Sequence, residues 1–473
     1  MPSPWRREFS KAGAAPASRL ASCDQRATWF VLSSGPLSFI ELFDHTTTVI
    51  RSGGRRRGAN MAVLRVDHPD IREFINAKRS PNVLENFNLS VGITDEFLLA
   101  LDNNSKVPLR NPRTGQATSS VDASDLFTAI IEAAHASGDP GLLFLDEINR
   151  HNPTPDLGRI EATNPCGEQP LLPYESCTLG SINLSAFARA TDVDWERLRD
   201  VIQDSVVFLD NLIEASHYPA KEIEVATRAT RKIGLGVMGL ADLLAALGIP
   251  YGSGEAVALG ERVATMLTRE ARTKSIDLGH QRGSFPVFAK SIWPAQGIPA
   301  LRNATVTCVA PTGTLSLLAG CSSGIEPFFA LASVRRALDG RTMTETNHGA
   351  VTALEALGPH GVRAIDEIRK SGSLHACPDI PEKIKRRFAI ALELNPLDHI
   401  RMQAAFQRHV DAAVSKTVNL RANASVSDVR QVFEAARRFH LKGITVYRYG
   451  SKSRQALSLV HDEHAPDCRE CAV

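Results

Sequence analysis

NPCGEQPLLPYESCTLGSINL, residues 164–184, is the stretch on which the reading of this chain turns. Asn164, Cys166 and Glu168 alternate, so an extended segment would point all three to one side. An amide, a thiol and a carboxylate on one side form a reactive constellation. Cys177 follows 11 residues after Cys166, near enough to return to the same place. The competing reading is a Pro/Gly-rich loop with two buried thiols, and the segment alone does not choose between them.

Working outward, apolar strands alternate with amphipathic helices. Residues 61–66, 86–93, 141–149, 304–311 and 443–449 read as strands, and 37–50, 67–79, 95–102, 193–216, 398–420 and 426–441 as helices. The run 233–251 reads as a buried helix or a helix–strand pair; Asp242 in its middle argues against a membrane span. This alternation indicates an α/β fold. Residues 1–33 and 456–473 lack the pattern, which bounds a central domain at 34–455.

Composition narrows the function classes. The 473 residues are 43% hydrophobic and 22% charged with a net charge of +2, so the chain as a whole carries no nucleic-acid footprint. Arg55-Arg56-Arg57, in the Gly-rich stretch 52–60, is the sharpest basic run; alone it reads as a solvated loop. Residues 1–30 carry five basic residues and no apolar h-region, so a cytoplasmic protein is expected. The eight cysteines are too scattered for a four-ligand zinc site, and no metal is expected. Only Cys468 and Cys471 form a CxxC.

Taken together, the motifs resemble one family. NPCGEQPLLPYESCTLGSINL is similar to the finger loop of ribonucleotide reductases, in their adenosylcobalamin-dependent (class II) catalytic subunit. SSGPLSFIELFD, SGGRRRGANMAVLRVDHPDI, ENFNLSVGITDEF, FLDEINRHNPTP, RKIGLGVMGLADLL, APTGTLSLLAGCSSGIEPFFA, RMQAAFQRHVDAAVSKTVNL and LKGITVYRYGS resemble further family segments in family order, over roughly 33–455. The resemblance implies a ten-stranded α/β barrel threaded by the finger loop. It implies reduction of ribonucleotides, diphosphates above all, to deoxyribonucleotides by a thiyl radical started by adenosylcobalamin.

Site roles follow from the same resemblance. Cys166 matches the thiyl cysteine, Glu168 the carboxylate that takes the 3′-hydroxyl proton, and Asn164 the amide that binds substrate hydroxyls. Cys177 matches one of two reducing cysteines. Pro311, Thr312, Gly313, Thr314, Leu315 and Ser316 match the diphosphate loop, where backbone N–H groups and hydroxyls suit an anion. Gly53, Gly54, Arg55, Arg56 and Arg57 match the loop linking an effector, a deoxynucleotide or ATP, to the substrate base. The helix at 37–50 matches a dimer-interface helix, which implies a homodimer. Cys468 and Cys471 match a mobile dithiol that reduces the active-site disulfide and is itself served by a thioredoxin- or glutaredoxin-type reductant. Cys308, Cys321 and Cys377 match no role and read as small buried hydrophobes.

The family carries a long region before its SGP segment, with barrel strands and the second reducing cysteine. Here 33 residues precede Ser34, and Cys23 is the only thiol among them. The expectation is therefore an N-terminally truncated, incomplete barrel whose isolated chain turns over poorly unless a complementing N-terminal fragment is supplied. The alternative is a remnant that retains only nucleotide or partner binding.

Overall fold

The computed structural model describes residues 35–50, 58–80, 82–336 and 342–451, the side chains of 333–336 and 342–345 apart. The Gly53–Arg57 loop and the Cys468/Cys471 pair lie outside these residues, as does Cys23.

The strands in chain order are β1 (Asn60–Arg65), β2 (Phe87–Ile93), β3 (Lys106–Arg110), β4 (Ala117–Asp122), β5 (Gly141–Phe144), β6 (Ala162–Thr163), β7 (Pro170–Leu171), β8 (Thr178–Asn183), β9 (Ile233–Met238), β10 (Ala332–Arg336), β11 (Thr342–Thr346), β12 (Thr417–Leu420) and β13 (Gly443–Arg448). The principal helices are α1 (Gly35–Val49), α2 (Ala123–Ser137), α3 (Trp195–Ala215), α4 (Gly254–Arg282), α5 (Gly313–Leu318), α6 (Pro396–Gln407) and α7 (Val426–Arg438). None of the described helices is long and apolar enough to cross a membrane.

One sheet runs β1-β2-β5-β13-β12. β1, β2 and β5 are mutually parallel; β13 meets β5 antiparallel and lies parallel to β12. β8 and β9 pair in parallel from Thr178 with Ile233 to Asn183 with Met238. Parallel bridges Leu235–Thr307 and Val309–Val414 carry this pair across an extended segment to the strand that becomes β12. Eight neighbouring strands thus form one arc in two antiparallel sets. Helices cover the outside, as parallel connections require. The β9 segment is buried at every position, as expected for a strand covered on both faces.

Helix patterning explains the packing. On α3, Leu198, Ile202, Val206, Leu209 and Ile213 recur every three or four residues and are the buried stripe. Asp194 caps it by accepting from the Arg197 N–H. α6 is buried nearly all round and joins two apolar cores: Met402 and Phe406 face the β8/β9 side, Ile400 and Ala404 the β1/β2 side.

Most elements fall near where the sequence puts them, although the helix expected over 67–79 is only Ile71–Asn76 and the strand expected over 304–311 is an extended segment bridged singly at Thr307 and Val309; two others change type. The strand expected over 141–149 ends at Phe144, and a helix runs over Leu145–Arg150. Asp146 and Glu147 lie in its first turn, where unpaired N–H groups favour carboxylates. The helix expected over 398–420 stops at Gln407, and 417–420 is β12. The apolar residues between are buried in extended backbone, paired with Val309 and with Glu168, so their spacing only imitates a helical period. Thr417–Leu420 alternates half-buried and buried positions, a strand pattern.

Candidate active site

The finger loop is a hairpin inside the arc. Ala162 pairs with Leu171 and Thr163 with Pro170. Its shaft is seated by Ile160, Ala162 and Leu172 against Met61 and Val63 of β1 and Leu143 of β5. Residues 164–169 form a turn, not the extended run the alternation suggests. The turn holds itself: the Asn164 N–H donates to the Gln169 carbonyl at 3.1 Å, the Gly167 N–H donates to the Asn164 carbonyl at 3.0 Å, and Asn164 Oδ1 accepts from the Gln169 N–H at 3.0 Å. Gly167 takes φ +85°, a conformation other residues rarely adopt.

This turn separates the three residues that alternation would group. Cys166 is exposed at the tip. Glu168 is buried; the Asn164 amide bonds its carboxylate, and Oε2 meets no described partner. Burial raises the Glu168 pKa, with its own backbone N–H and Asn164 working the other way. A buried carboxylate oxygen without a donor costs free energy unless a ligand supplies one.

Cys177 sits at the foot of β8. Burial pushes its thiol far above the ordinary range, opposed by nearby Lys232 and reinforced by the charges of Glu168 and Glu175. The group therefore stays a protonated thiol at neutral pH. Lys232 and Glu175 form a fully buried ion pair at 2.6 Å beside it. Gly234 leaves room for the neighbours: a Cβ there would lie 2.3 Å from Gln169 Nε2 and 2.7 Å from Cys308 Sγ. Cys308 is thus buried as expected, but within the same thiol–carboxylate neighbourhood.

The 311–316 segment opens α5. Thr312 adopts φ 54° and ψ 29°, left-handed backbone for a β-branched residue. Such a conformation costs on the order of 1–3 kcal/mol and persists only where the surroundings enforce it. The enforcing contacts come from 321–324. The Gly324 N–H donates to Thr312 Oγ1 at 2.8 Å, the Cys321 N–H to the Ser316 carbonyl at 2.9 Å, and the Ser316 and Ser323 hydroxyls meet at 3.0 Å. Two of the three hydroxyls expected to face an anion are therefore used within the fold. The first-turn amides at 313–315 have no intrahelical acceptor.

Both loops reach one cavity of about 1140 Å³. Pro165, Cys166 and Gly167 line it from the finger, and Pro311 and Ser316 from the second loop, with Leu317 just after it; Thr312, Gly313, Thr314 and Leu315 are not among the lining residues. Glu168, Asn164 and Cys177 stand behind the finger tip rather than on the cavity wall. Sequence reasoning passed over Asn88, whose side-chain amide donates to the Pro165 carbonyl at 2.7 Å. It also passed over Glu326 and Lys416, which line the cavity, and Cys321, read as a buried hydrophobe, is only partly buried and lines it too. Glu326 and Lys416 lie inside quoted motifs (GIEP and SKTVNL), but nothing local marks them as partners.

Residues 26–300 and 296–447 match the family described as "Ribonucleotide reductase, barrel domain". Over 427 residues the chain is 54% identical to the vitamin B12-dependent ribonucleoside-diphosphate reductase of Mycobacterium tuberculosis (strain CDC 1551 / Oshkosh), covering 90% of this chain and 61% of that protein. The protein of the same description from Thermoplasma acidophilum is 48% identical over 429 residues, covering 90% of this chain and 56% of its own length. The chain therefore spans roughly three fifths of the curated relatives it matches. Among solved structures, the Actinobacillus ureae class Id ribonucleotide reductase alpha subunit superposes with a TM-score of 0.74 at 20% identity, over 92% of this chain and 80% of that one. That likeness extends the agreement to the fold.

Proposed function

The chain belongs to the ribonucleotide reductase barrel family, and on that premise we propose that its cavity reduces ribonucleoside diphosphates to 2′-deoxyribonucleotides by a thiyl-radical route dependent on adenosylcobalamin. The observation that carries this reading is the finger turn: an exposed thiol at its tip, with a buried carboxylate behind it lacking one hydrogen-bond donor.

Cys166 holds the radical, since an S–H bond is weak enough to yield to a carbon radical and the resulting thiyl can take the ribose 3′-hydrogen. Glu168 accepts the 3′-hydroxyl proton, and its raised pKa keeps it a stronger base than a solvated carboxylate. Asn164 fixes the carboxylate through its amide. Cys177, held protonated by burial, is one of two thiols that reduce the 2′ carbon: their two hydrogens replace the 2′-hydroxyl by hydrogen and release it as water, and the two sulfurs, the second from the N-terminal complement, close into a disulfide that the external reductant reopens. The 311–316 loop takes the diphosphate on its free amides. The cavity, about 1140 Å³, is larger than an ordinary small-molecule pocket. Adenosylcobalamin, when bound, supplies the carbon radical. Reductant, nucleotide effector and a second copy of the chain complete the reading as partners.

The test is dCDP formation from CDP with adenosylcobalamin and dithiothreitol. It is run on the chain alone and on the chain mixed with the N-terminal region of the Mycobacterium tuberculosis relative. Parent protein should form dCDP in at least one preparation, and Cys166→Ser in neither. Equal turnover in Cys166→Ser, or no dCDP from any parent preparation, sinks the reading.

A further inference from the structure

Lys416 is a fully buried cation on the cavity wall, immediately before β12, and the radical chemistry above has no use for it. Its Nζ donates to Glu326 Oε2 and lies 3.1 Å from His399 Nδ1 and 5.9 Å from the centre of the Tyr251 ring. The His399 Nε2 faces the Ala391 carbonyl at 3.3 Å, so the ring donates there and accepts from Lys416, in its neutral form. Burial depresses both the Lys416 and the His399 pKa, and Glu326 opposes this for the lysine.

Glu326 is the far end of the segment that shapes the diphosphate loop. Its Oε1 accepts from the Thr417 N–H at 2.8 Å, and its own N–H donates to the Ser323 carbonyl at 2.9 Å. Tyr251 adds a second tie through its hydroxyl to the Ile325 carbonyl. From there the chain runs back to Gly324, whose N–H holds Thr312 in left-handed backbone. A continuous path therefore leads from the Lys416 ammonium through Glu326 and the 322–325 turn to the residue that opens α5. Replacing one charge of a buried pair leaves the other uncompensated, so the turn would relax toward solvent.

We infer that Lys416 is a positioning residue for the diphosphate: through Glu326 it fixes Thr312 in the strained conformation that presents the 313–315 amides to the phosphates. The inference rests on the reading of 311–316 as the diphosphate loop. It differs from a plain stability role in two respects. Loss of Lys416 should weaken a nucleoside diphosphate far more than the matching nucleoside. The loss should also shrink where Thr312 needs no enforcement, because glycine adopts left-handed backbone without strain.

The experiment is calorimetric binding of CDP, cytidine and inorganic pyrophosphate to the full chain and to four variants: Lys416→Met, Thr312→Gly, the two combined, and Gly313→Val. Lys416→Met should weaken CDP and pyrophosphate at least tenfold and cytidine less than twofold. In the Thr312→Gly background the same change should cost less than threefold, a coupling that two independent structural losses would not give. Gly313→Val tests the underlying reading: unchanged CDP and pyrophosphate affinity in that variant overturns the loop assignment itself. A loss in Gly313→Val with none in Lys416→Met overturns only the role of Lys416. Equal losses for CDP and cytidine, or no coupling to Thr312, also overturn it. Should Lys416→Met fail to fold, Glu326→Gln breaks the same path from the solvent-facing end and carries the same expectations.

Discussion

Two loops face one cavity, and they are held in opposite ways. The finger turn 164–169 is shaped mainly by its own six residues, through bonds from Asn164 to Gln169 and from Gly167 to Asn164 and a glycine where the chain turns left-handed, with Asn88 of β2 as a brace on the Pro165 carbonyl. The 311–316 loop is shaped from outside, by a turn at 321–324 that is itself tied to a lysine roughly a hundred residues away in sequence. The difference sorts what each loop can tolerate. A self-held turn fails when one of its own residues changes. A remotely held loop fails quietly, through partners that never touch the ligand.

The largest effect should come from the finger. Glu168→Gln keeps the shape and removes the proposed base, so dCDP formation should fall about a thousandfold, within the range of general-base losses. The pH profile adds a second readout. Because burial raises the Glu168 pKa, parent activity should climb with pH through that pKa as the carboxylate ionises. The variant should lose this limb. A variant that keeps both the rate and the acid limb would move the proton acceptor elsewhere.

Next is Asn164→Ala, which removes the Oδ1 acceptor for the Gln169 N–H and the amide bonded to Glu168. If the turn is self-held, the thiol and the carboxylate drift apart, and a displacement of about 1 Å costs on the order of a hundredfold in rate. Hydrogen exchange at 165–169 should quicken in step. A hundredfold loss without faster exchange would make Asn164 a ligand of substrate rather than a strut of the turn.

The second loop should respond more gently and in affinity. A Cβ at Gly313 meets nothing within 4 Å, so Gly313→Val should fold without a clash, and its added bulk crowds the amides proposed to take the diphosphate. The KM for CDP should rise about tenfold, near 1.4 kcal/mol, with kcat changed little. A fall in kcat at constant KM would place the loop in the transition state instead.

What could be read from sequence divides along the same line. The finger was legible because its determinants are consecutive: Asn164, Gly167 and the spacing to Cys177 stand in one motif. Even so, alternation gave the wrong geometry, since Glu168 turns inward while Cys166 stays at the tip. Elements were legible where a helix period was long, as in α3, whereas the buried run 233–251 left helix or helix–strand pair open and proved to be β9 followed by a helix. Periodicity failed at 408–420, where buried apolar residues in extended backbone mimic a helix. The Lys416–Glu326 pair was invisible, because a buried ion pair 90 residues apart has no local signature.

A third buried lysine makes the final test of the comparison. Lys442 lies just before β13, and its Nζ donates to the carbonyl of Asp411, at 2.8 Å, and to that of Ala412. The next residue, Ala413, donates its N–H to the Glu168 carbonyl at 2.9 Å, so this lysine props the finger from behind. Lys442 therefore asks whether the finger too has a remote determinant. Burial lowers its pKa to about 8, with Asp411 and Glu147 opposing. Between that value and about 10.4, its ordinary value, the unfolded chain holds a proton that the folded chain has released. Stability should accordingly rise with pH across this window, by up to about 1.4 kcal/mol per unit, and Lys442→Met should flatten that rise. Melting temperatures of parent and variant at pH 7.5 to 10.5 give the difference directly, with other titrating groups cancelling. If the finger turn is self-held, Lys442→Met leaves kcat within about twofold while the stability profile changes. A tenfold loss of kcat with an unchanged profile would show that both loops depend on buried lysines at strand entrances, and that the contrast between them is one of degree.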